Sequence, residues 1–206
     1  MNSEQLAEYA QSQAERFWRD AGNHWLNDRL ELSANDTVIE IGGYLGNWTD
    51  YVSSRYECFV DVYEPVKEYY ERIVKRLSSR PKVRVFNAAV EAMDGHLHIA
   101  VMGEGSSLYD GGLLEGPLVP VVDIDRIVRE MGEVDLLAIN GEGCEYNVLD
   151  RLLATGEMVR VKKLLVQFHV KHPDADERRA AIREGLSSTH SEGICYPFCW
   201  ESWRRK

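Results

Sequence analysis

The sequence predicts one α/β domain with a mostly parallel sheet that carries helices on both faces. Short β-branched runs alternate with segments of helical periodicity, which is the pattern of βαβ units. The chain has 206 residues, the size of a single ordinary domain. Hydrophobic residues make up 44% of it, which is enough to form a core. We therefore expect one domain over residues 1–206.

The first part, residues 1–32, is predicted to be a helical extension that precedes the sheet. Its apolar residues recur at three- and four-residue steps, which gives one apolar stripe on a helix of roughly seven turns. Such a helix either docks on the rest of the domain or covers a site. The stripe consists of Leu6, Ala10, Ala14, Phe17, Trp18, Ala21 and Trp25.

The central part, residues 36–172, is predicted to supply the parallel strands. The first strand is TVIEIG, residues 37–42, a β-branched run that two glycines stop. Between residues 94 and 116 the pattern changes, and we expect a hairpin with a mobile Gly/Ser-rich loop over residues 103–112. The other predicted strands are residues 58–63, 83–87, 119–122, 134–139 and 163–169, and the helices are residues 66–77 and 146–153.

The last part, residues 173–206, is predicted to add a helix over residues 174–186 and one edge strand, ICYPFCW, over residues 194–200. This end of the chain is basic. Residues 151–206 carry 11 basic and 7 acidic side chains, which leaves 13 and 27 for residues 1–150. The basic residues have two explanations, which are solvated helix faces with a frayed end, or contacts with a phosphate-bearing substrate.

Composition disfavours several classes of partner. The formal net charge is −10, and such a surface repels nucleic-acid phosphates, so no nucleic-acid partner is expected. No apolar run approaches the roughly 20 residues of a membrane span. The N-terminus lacks the basic flank and apolar stretch of a secretory signal, so we expect a cytoplasmic protein. The four cysteines are too scattered for a disulfide framework or a zinc site.

The loop after the first strand is a candidate site, because ligands of open α/β sheets bind beyond the carboxyl ends of the strands. Glu40, Gly42 and Gly46 form an E-x-G-x-x-x-G pattern, and its carboxylate suits a cationic ligand. Ile41 stands where a dinucleotide fingerprint needs its first glycine, which disfavours NAD. Glu64 ends the second strand, at the separation where an acid reaches both ribose hydroxyls. Together these residues predict a cation that contains adenosine.

Several stretches of the chain resemble the FkbM-type branch of the class I S-adenosylmethionine-dependent methyltransferases. They are VIEIGGYLGNWT, VDVYEP, NAAV, VPVVDIDRI, DLLAINGEGCEYNVL and LLVQFH. The resemblance covers residues 36–172 and implies a Rossmann-like fold with S-adenosylmethionine as the cofactor. It implies that Glu40, Gly42 and Gly46 surround the methionine part, with Gly43 and Tyr44 in the same cofactor-binding loop, that Glu64 holds the ribose, and that Asn87 and Ala88 lie beside the adenine.

Three positions depart from the family pattern by the loss of a charge. Ala138 replaces a lysine, Asn140 replaces an aspartate, and Gln167 replaces a glutamate. A divalent metal held by Asn140, Glu142 and Glu145 would have oxygen ligands but too little negative charge. No metal site is therefore expected.

The chemistry of methyl transfer points to residues at the ends of the strands predicted over residues 134–139 and 163–169. The acceptor atom must lie in line with the methyl carbon, and a hydroxyl acceptor must lose its proton. A neutral imidazole is a good base at pH 7, so His169 is either this base or a residue that only hydrogen-bonds nearby backbone. Glu142 and Asn140 are predicted to orient the acceptor through hydrogen bonds, and Glu142 could also polarise or deprotonate it. Glu142 could equally cap the next helix.

The resemblance predicts a methyltransferase that acts on a hydroxyl of a sugar or of another small polar acceptor. A subset of similar proteins from glycan assembly shares the patterns I-N-x-E-G-x-E-Y, V-Q-F-H and Y-P-F-x-W-E-x-W with this chain. The alternative is a catalytically silent module that binds adenosine and has lost turnover with the three neutral positions. The oligomeric state does not follow from the sequence.

Overall fold

A computed structural model describes residues 1–20, 22–100 and 116–206. Its strands are β1 (Thr37–Ile41), β2 (Phe59–Tyr63), β3 (Val83–Phe86), β4 (Ala89–Glu91), β5 (Gly95–His98), β6 (Leu118–Asp123), β7 (Leu136–Ile139), β8 (Lys163–Val166), β9 (His190–Cys195) and β10 (Glu201–Arg205). Its α-helices are α1 (Ser3–Arg19), α2 (Gly22–Asn27), α3 (Asn47–Tyr56), α4 (Lys67–Arg76), α5 (Ile124–Met131), α6 (Glu145–Thr155) and α7 (Ala175–Ser187).

The central sheet has seven strands in the order β3-β2-β1-β7-β8-β10-β9. In this sheet β3, β2, β1, β7 and β8 are parallel to one another. β10 is antiparallel to both of its neighbours, β8 and β9. The chain moves outward from β1 to β3 on one side and later returns to β7 on the other side. The strand order therefore reverses between β1 and β7, where open α/β sheets bind ligands.

Helices cover both faces of this sheet, as the alternation of strands and helices predicts. Successive strand residues point to opposite faces, so Val38 and Ile39 of β1 belong to two different core clusters, and both are fully buried. One cluster includes residues of α5, α6 and α7, and the other includes residues of α2, α3 and α4. The predicted α/β fold is confirmed.

A second, three-stranded sheet has the order β4-β6-β5. Here β5 and β6 are antiparallel, with Gly95 opposite Val121 and His98 opposite Leu118, which confirms the predicted hairpin pairing. His96 and His98 lie in β5, where every residue is exposed. The loop predicted at residues 103–112 lies outside the described residues.

The N-terminal extension contains two helices, so the prediction of one helix of roughly seven turns is wrong. Asn2 and Gln5 form a capping box that begins α1, and the helix ends at Arg19, with Asp20 as its C-cap residue. Leu6 and Phe17 are buried as the apolar stripe predicts, whereas Trp18 is 52% exposed. Ala21, the next residue of the predicted stripe, lies outside the described residues.

The predicted edge strand over residues 194–200 is also wrong, because most of this segment is a turn. Phe198 has a φ of 55°, the amide of Tyr196 donates to the carbonyl of Trp200 (2.9 Å), and the amide of Cys199 donates to the carbonyl of Tyr196 (2.9 Å). The turn connects β9, which is the edge strand, to β10, which inserts between β9 and β8. Aromatic residues in the turn give it the composition of a strand.

The basic residues of the C-terminal part of the chain form ion pairs, some with acidic residues of the same part and some with acidic residues earlier in the chain. Lys162 contacts Asp135 (2.8 Å), and Arg205 contacts Glu133 (2.8 Å). Ion pairs are also formed by six arginines of this part of the chain, which are Arg151, Arg160, Arg178, Arg179, Arg183 and Arg204. Ion pairing therefore accounts for much of the charge without a phosphate ligand.

None of the described helices is both long enough and apolar enough to span a membrane.

Candidate active site

Two adjoining cavities open at the carboxyl ends of β1, β2 and β7, where the sheet order reverses. The first cavity has a volume of about 280 Å³, and the second has a volume of about 210 Å³. Four residues belong to the walls of both cavities, so these residues mark the place where the cavities meet. They are Ile41, Gly42, Tyr44 and Asn140.

Gly42 lets the loop after β1 pass directly over the end of β7. Its φ is +90°, and a Cβ atom at this position would lie 1.9 Å from the carbonyl oxygen of Asn140. Any side chain would therefore push the two strand ends apart. The same loop continues to Gly46, which has a φ of +73° and precedes the first residue of α3. Gly46 shapes the turn but lies outside the walls of both cavities.

Glu40 lies at the floor of the second cavity and is 5% exposed. Its carboxyl group accepts a hydrogen bond from the Thr49 hydroxyl, which α3 supplies. Burial disfavours the charged form, and nearby Glu64 adds to this effect, so the pKa of Glu40 rises to about 8 despite the Thr49 hydrogen bond. A cation entering the second cavity would reverse this effect and favour the carboxylate.

Glu64 follows β2 and faces the first cavity. Its two oxygens accept hydrogen bonds from the backbone amides of Tyr44 and Val66, both at 2.8 Å. Burial raises the pKa of Glu64 to about 7, although these two hydrogen bonds oppose the rise. Glu64 therefore fixes the loop after β1 to the loop after β2 and keeps a carboxyl group at the cavity wall.

The wall beside Glu64 is aromatic and apolar. The rings of Tyr44 and Tyr69 meet edge to face with centroids 4.8 Å apart. Ala89, Val90 and Ile99 complete this side of the first cavity. A flat ring with polar edges fits such a wall, because aromatic and aliphatic side chains contact both its faces and its rim.

Asn87 and Ala88, which the resemblance places beside the adenine, lie outside the walls of both cavities. The Asn87 amide donates to the carbonyl oxygens of Glu64 (3.0 Å) and Pro65 (2.9 Å). Ala88 is buried in the core. The structure thus gives Asn87 a role in holding the loop after β2, and the residues that reach the cavity are the next two, Ala89 and Val90.

The end of β7 brings the predicted acceptor-side residues to the first cavity. Asn140 and Glu142 line it, as does Gln167, which follows β8. Glu142 has a φ of 53°, a left-handed conformation that non-glycine residues rarely adopt. This conformation lies at a cavity wall, where strained backbone is often functional.

His169 stands behind Glu142 and outside the walls of both cavities. Its Nε2 atom lies 3.1 Å from Glu142 Oε1, and its Nδ1 atom lies 3.1 Å from Glu145 Oε1. Burial opposes the charged ring, but the hydrogen bonds to Glu142 and Glu145 outweigh it and raise the pKa of His169 to about 9. The ring is therefore charged at pH 7, in contrast to the neutral imidazole that the sequence argument assumed.

The second cavity contains Trp48, an aromatic residue just after the loop, and two residues that no sequence pattern placed in a site, Leu26 and Trp200. Leu26 comes from α2, Trp48 from α3 and Trp200 from the turn before β10. The Trp48 indole is held by a hydrogen bond from its Nε1 atom to the Leu26 carbonyl (3.0 Å). The N-terminal extension therefore forms part of the site. Gly43 also lies in this wall, as predicted for the cofactor-binding loop.

Comparison with known proteins identifies the family. The family model for the methyltransferase FkbM domain matches residues 40–188, which is most of the chain. The chain belongs to the FkbM methyltransferase family. This match includes the loop after β1, Glu64 and the residues after β7 and β8. No curated protein matches the sequence.

Solved structures of methyltransferases share the fold at low sequence identity. A putative rRNA methylase from Clostridium thermocellum aligns at 10% identity with a TM-score of 0.55, over 84% of this chain and 88% of that chain. A putative methyltransferase from Streptococcus mutans in complex with SAH aligns at 10% identity with a TM-score of 0.50, over 89% and 96%. The 23S rRNA methyltransferase ErmE aligns at 16% identity with a TM-score of 0.48, over 88% and 66%, so the chain spans less than two thirds of that protein.

Proposed function

We propose that this FkbM-family protein transfers a methyl group from S-adenosylmethionine to a hydroxyl of a small, polar acceptor such as a sugar. The observation that carries the proposal is the pair of buried carboxyl groups, Glu40 and Glu64, at adjacent strand ends beside two joined cavities. Burial raises the pKa of both groups, and a ligand with positive charge would stabilise their ionised forms. A sulfonium cofactor carries that charge.

Two sets of residues fit two parts of this cofactor. Glu64 and the apolar wall of Tyr69, Ala89 and Val90 suit the ribose and the adenine ring. The methionine part would extend past Gly42 toward Glu40, where the loop after β1 approaches β7 most closely. The bound cofactor supplies an electrophilic methyl group on sulfur.

The acceptor would lie in the part of the first cavity that Asn140, Glu142 and Gln167 line. Asn140 and Gln167 offer amide donors and acceptors that orient a hydroxyl. Methyl transfer to a hydroxyl would release the hydroxyl proton, and a residue of the chain must accept it. The hydroxyl proton would pass to Glu142, because its carboxyl group lines this part of the cavity and His169 contacts it from behind.

Two properties of the chain favour a small acceptor over a nucleic acid. The net charge is −10, and no Lys or Arg side chain lines either cavity in the described part of the chain. A phosphate-bearing acceptor would meet Glu142 without a Lys or Arg side chain in those walls to compensate its charge. A neutral acceptor meets no such repulsion.

Calorimetric titration with S-adenosylmethionine and with its demethylated product tests the cofactor assignment. We expect both to bind, and binding of neither compound contradicts the proposal. Turnover is then measured with a panel of neutral sugars and sugar phosphates. Binding without turnover of any acceptor favours the alternative function, a silent adenosine-binding module.

The acceptor-side assignment predicts the behaviour of two variants. Glu142→Gln should lower turnover by roughly 10² to 10⁴, the usual effect of a lost proton acceptor. His169→Ala should also lower turnover, because Glu142 loses its charged partner. Both variants should bind the demethylated cofactor as the wild-type protein does, and a wild-type turnover rate in either variant removes that residue from the mechanism.

A further inference from the structure

Glu145 is a fully buried carboxylate beside the candidate active site and outside the walls of both cavities. Its Oε2 atom accepts a hydrogen bond from the Gly143 amide (2.8 Å). Its Oε1 atom accepts one from the His169 amide (2.7 Å) and lies 3.1 Å from His169 Nδ1. One side chain therefore connects the loop after β7 with the loop after β8.

These contacts fix the direction of the His169 ring. Nδ1 faces Glu145, so Nε2 faces Glu142 at 3.1 Å. A doubly protonated ring donates a hydrogen bond to each carboxylate, whereas a neutral ring would direct a lone pair at one of them. The Tyr146 hydroxyl donates to the His169 carbonyl (2.7 Å) and holds the same residue from its backbone side.

Glu145 also acts on the backbone next to Glu142. Glu142 has a left-handed φ of 53°, and the following peptide is the one whose Gly143 amide binds Glu145. The His172 ring faces the Gly143 carbonyl (3.0 Å), and Lys171 Nζ lies 3.8 Å from Glu142 Oε2. The Glu145 side chain thus restrains Glu142 through two routes, the Gly143 peptide and the His169 ring.

We propose that Glu145 is a positioning residue for methyl transfer, which holds His169 and the Gly143 peptide so that the Glu142 carboxylate faces the acceptor. The catalytic consequence rests on the proposed function. The positioning itself concerns only the arrangement of this chain's own residues. Glu145 touches neither cavity, so its removal should leave the cofactor-binding wall in place.

The first experiment follows the His169 ring by NMR across a pH titration, in the wild-type protein and in Glu145→Gln. The charged groups around the ring are Glu142, Glu145 and Lys171, with His172 nearby, and only Glu145 is changed. Loss of its charge should move the His169 midpoint from about 9 toward the ordinary value of about 6.5. Glu145→Asp, which keeps the charge, should restore part of the shift and guards against a variant that fails to fold.

Glu157→Gln is the matched control, since Glu157 is also a buried carboxylate and forms ion pairs with Arg129 and Arg160. It should leave the His169 titration unchanged. An unchanged His169 titration in Glu145→Gln, or an equal shift in Glu157→Gln, overturns the proposal.

The second experiment measures turnover and its pH profile once an acceptor is in hand. Glu145→Gln should lower kcat by roughly 10²-fold, at the low end of the effect of a lost proton acceptor, with KM for S-adenosylmethionine unchanged. A wild-type kcat overturns the positioning role in catalysis. If the wild-type protein binds neither S-adenosylmethionine nor its product, the proposed function fails, and the NMR titration still decides the position of His169.

Discussion

Two sets of buried carboxyl groups in this molecule, Glu201 on one side and Glu40 with Glu64 on the other, have different surroundings. Glu201 in β10 is fully buried and pairs with two arginines of α7: Arg179 Nε lies 2.6 Å from one oxygen, and Arg183 contacts the other. Glu40 and Glu64 are also buried, but in the described part of the chain their hydrogen bonds come from a hydroxyl and from backbone amides. Of these two sets, only Glu201 forms ion pairs with cationic side chains within the described residues.

The difference separates structural charge from charge available to a ligand. Burial of a carboxylate is costly unless a cation or several donors compensate it. The Glu201 cluster meets this cost within the fold and so connects α7 to the sheet. Burial raises the pKa of Glu40 and Glu64 instead, and a cationic ligand would compensate their charge. Variants of the two regions should therefore change different properties.

The largest expected effect comes from the paired region. Glu201→Ala leaves Arg179 and Arg183 without their buried partner, and breaking such a pair typically costs about 3 to 5 kcal/mol of unfolding free energy. Urea denaturation followed by circular dichroism measures this loss. Glu68→Ala, at an exposed pair with Arg72, is the control and should stay within about 0.5 kcal/mol of the wild type. Equal losses in the two variants would contradict the distinction between the regions.

A smaller effect, on binding, is expected from Glu64. Glu64→Ala removes a carboxylate that we place at the ribose, and a hydrogen bond to a charged group is worth about 1.5 to 3 kcal/mol. Calorimetry should show the affinity for S-adenosylmethionine weakened by that amount. Asn87→Ala, which removes a side chain outside the cavity walls, tests whether loosening the loop after β2 alone has the same effect. An unchanged dissociation constant in Glu64→Ala would refute the ribose assignment.

Local sequence patterns predicted the paired strands and the loop after β1, because each depends on a few neighbouring residues. The helix α3 gave no comparable signal: of its ten residues the buried ones are Thr49, Val52 and Ser53, so two of the three are polar. The C-terminal turn was predicted wrongly for the opposite reason. Residues 196–200 have the aromatic and apolar composition of a strand, yet the backbone turns back at Phe198. Burial of polar residues in a helix, and a turn formed by aromatic residues, follow from tertiary packing.

Local sequence patterns predicted only part of the candidate site, for the same reason. Glu40 lies near the end of β1, Gly42 follows β1 and Glu64 follows β2, so all three could be placed from the order of strands alone. The charge of His169 depends on Glu145, which lies 24 residues earlier in the chain and meets His169 only in the folded protein. Trp48 and Trp200 likewise reach one cavity wall from distant elements, and no local pattern pairs them.

The smallest expected effect is a change in the pH dependence of the unfolding free energy, which we attribute to Glu40. Its pKa is about 8 in the folded protein, above the ordinary value of 4.5, so between these values the folded state holds a proton that the unfolded state has released. The unfolding free energy should therefore fall as the pH rises through this window, by about 1.4 kcal/mol per pH unit for one group. Glu40→Gln keeps an acceptor for the Thr49 hydroxyl and removes the titration. Urea denaturation at pH 6 and pH 7 should show a slope that is flatter by this amount in the variant, and an equal slope in both proteins would mean that Glu40 is already ionised in the folded state.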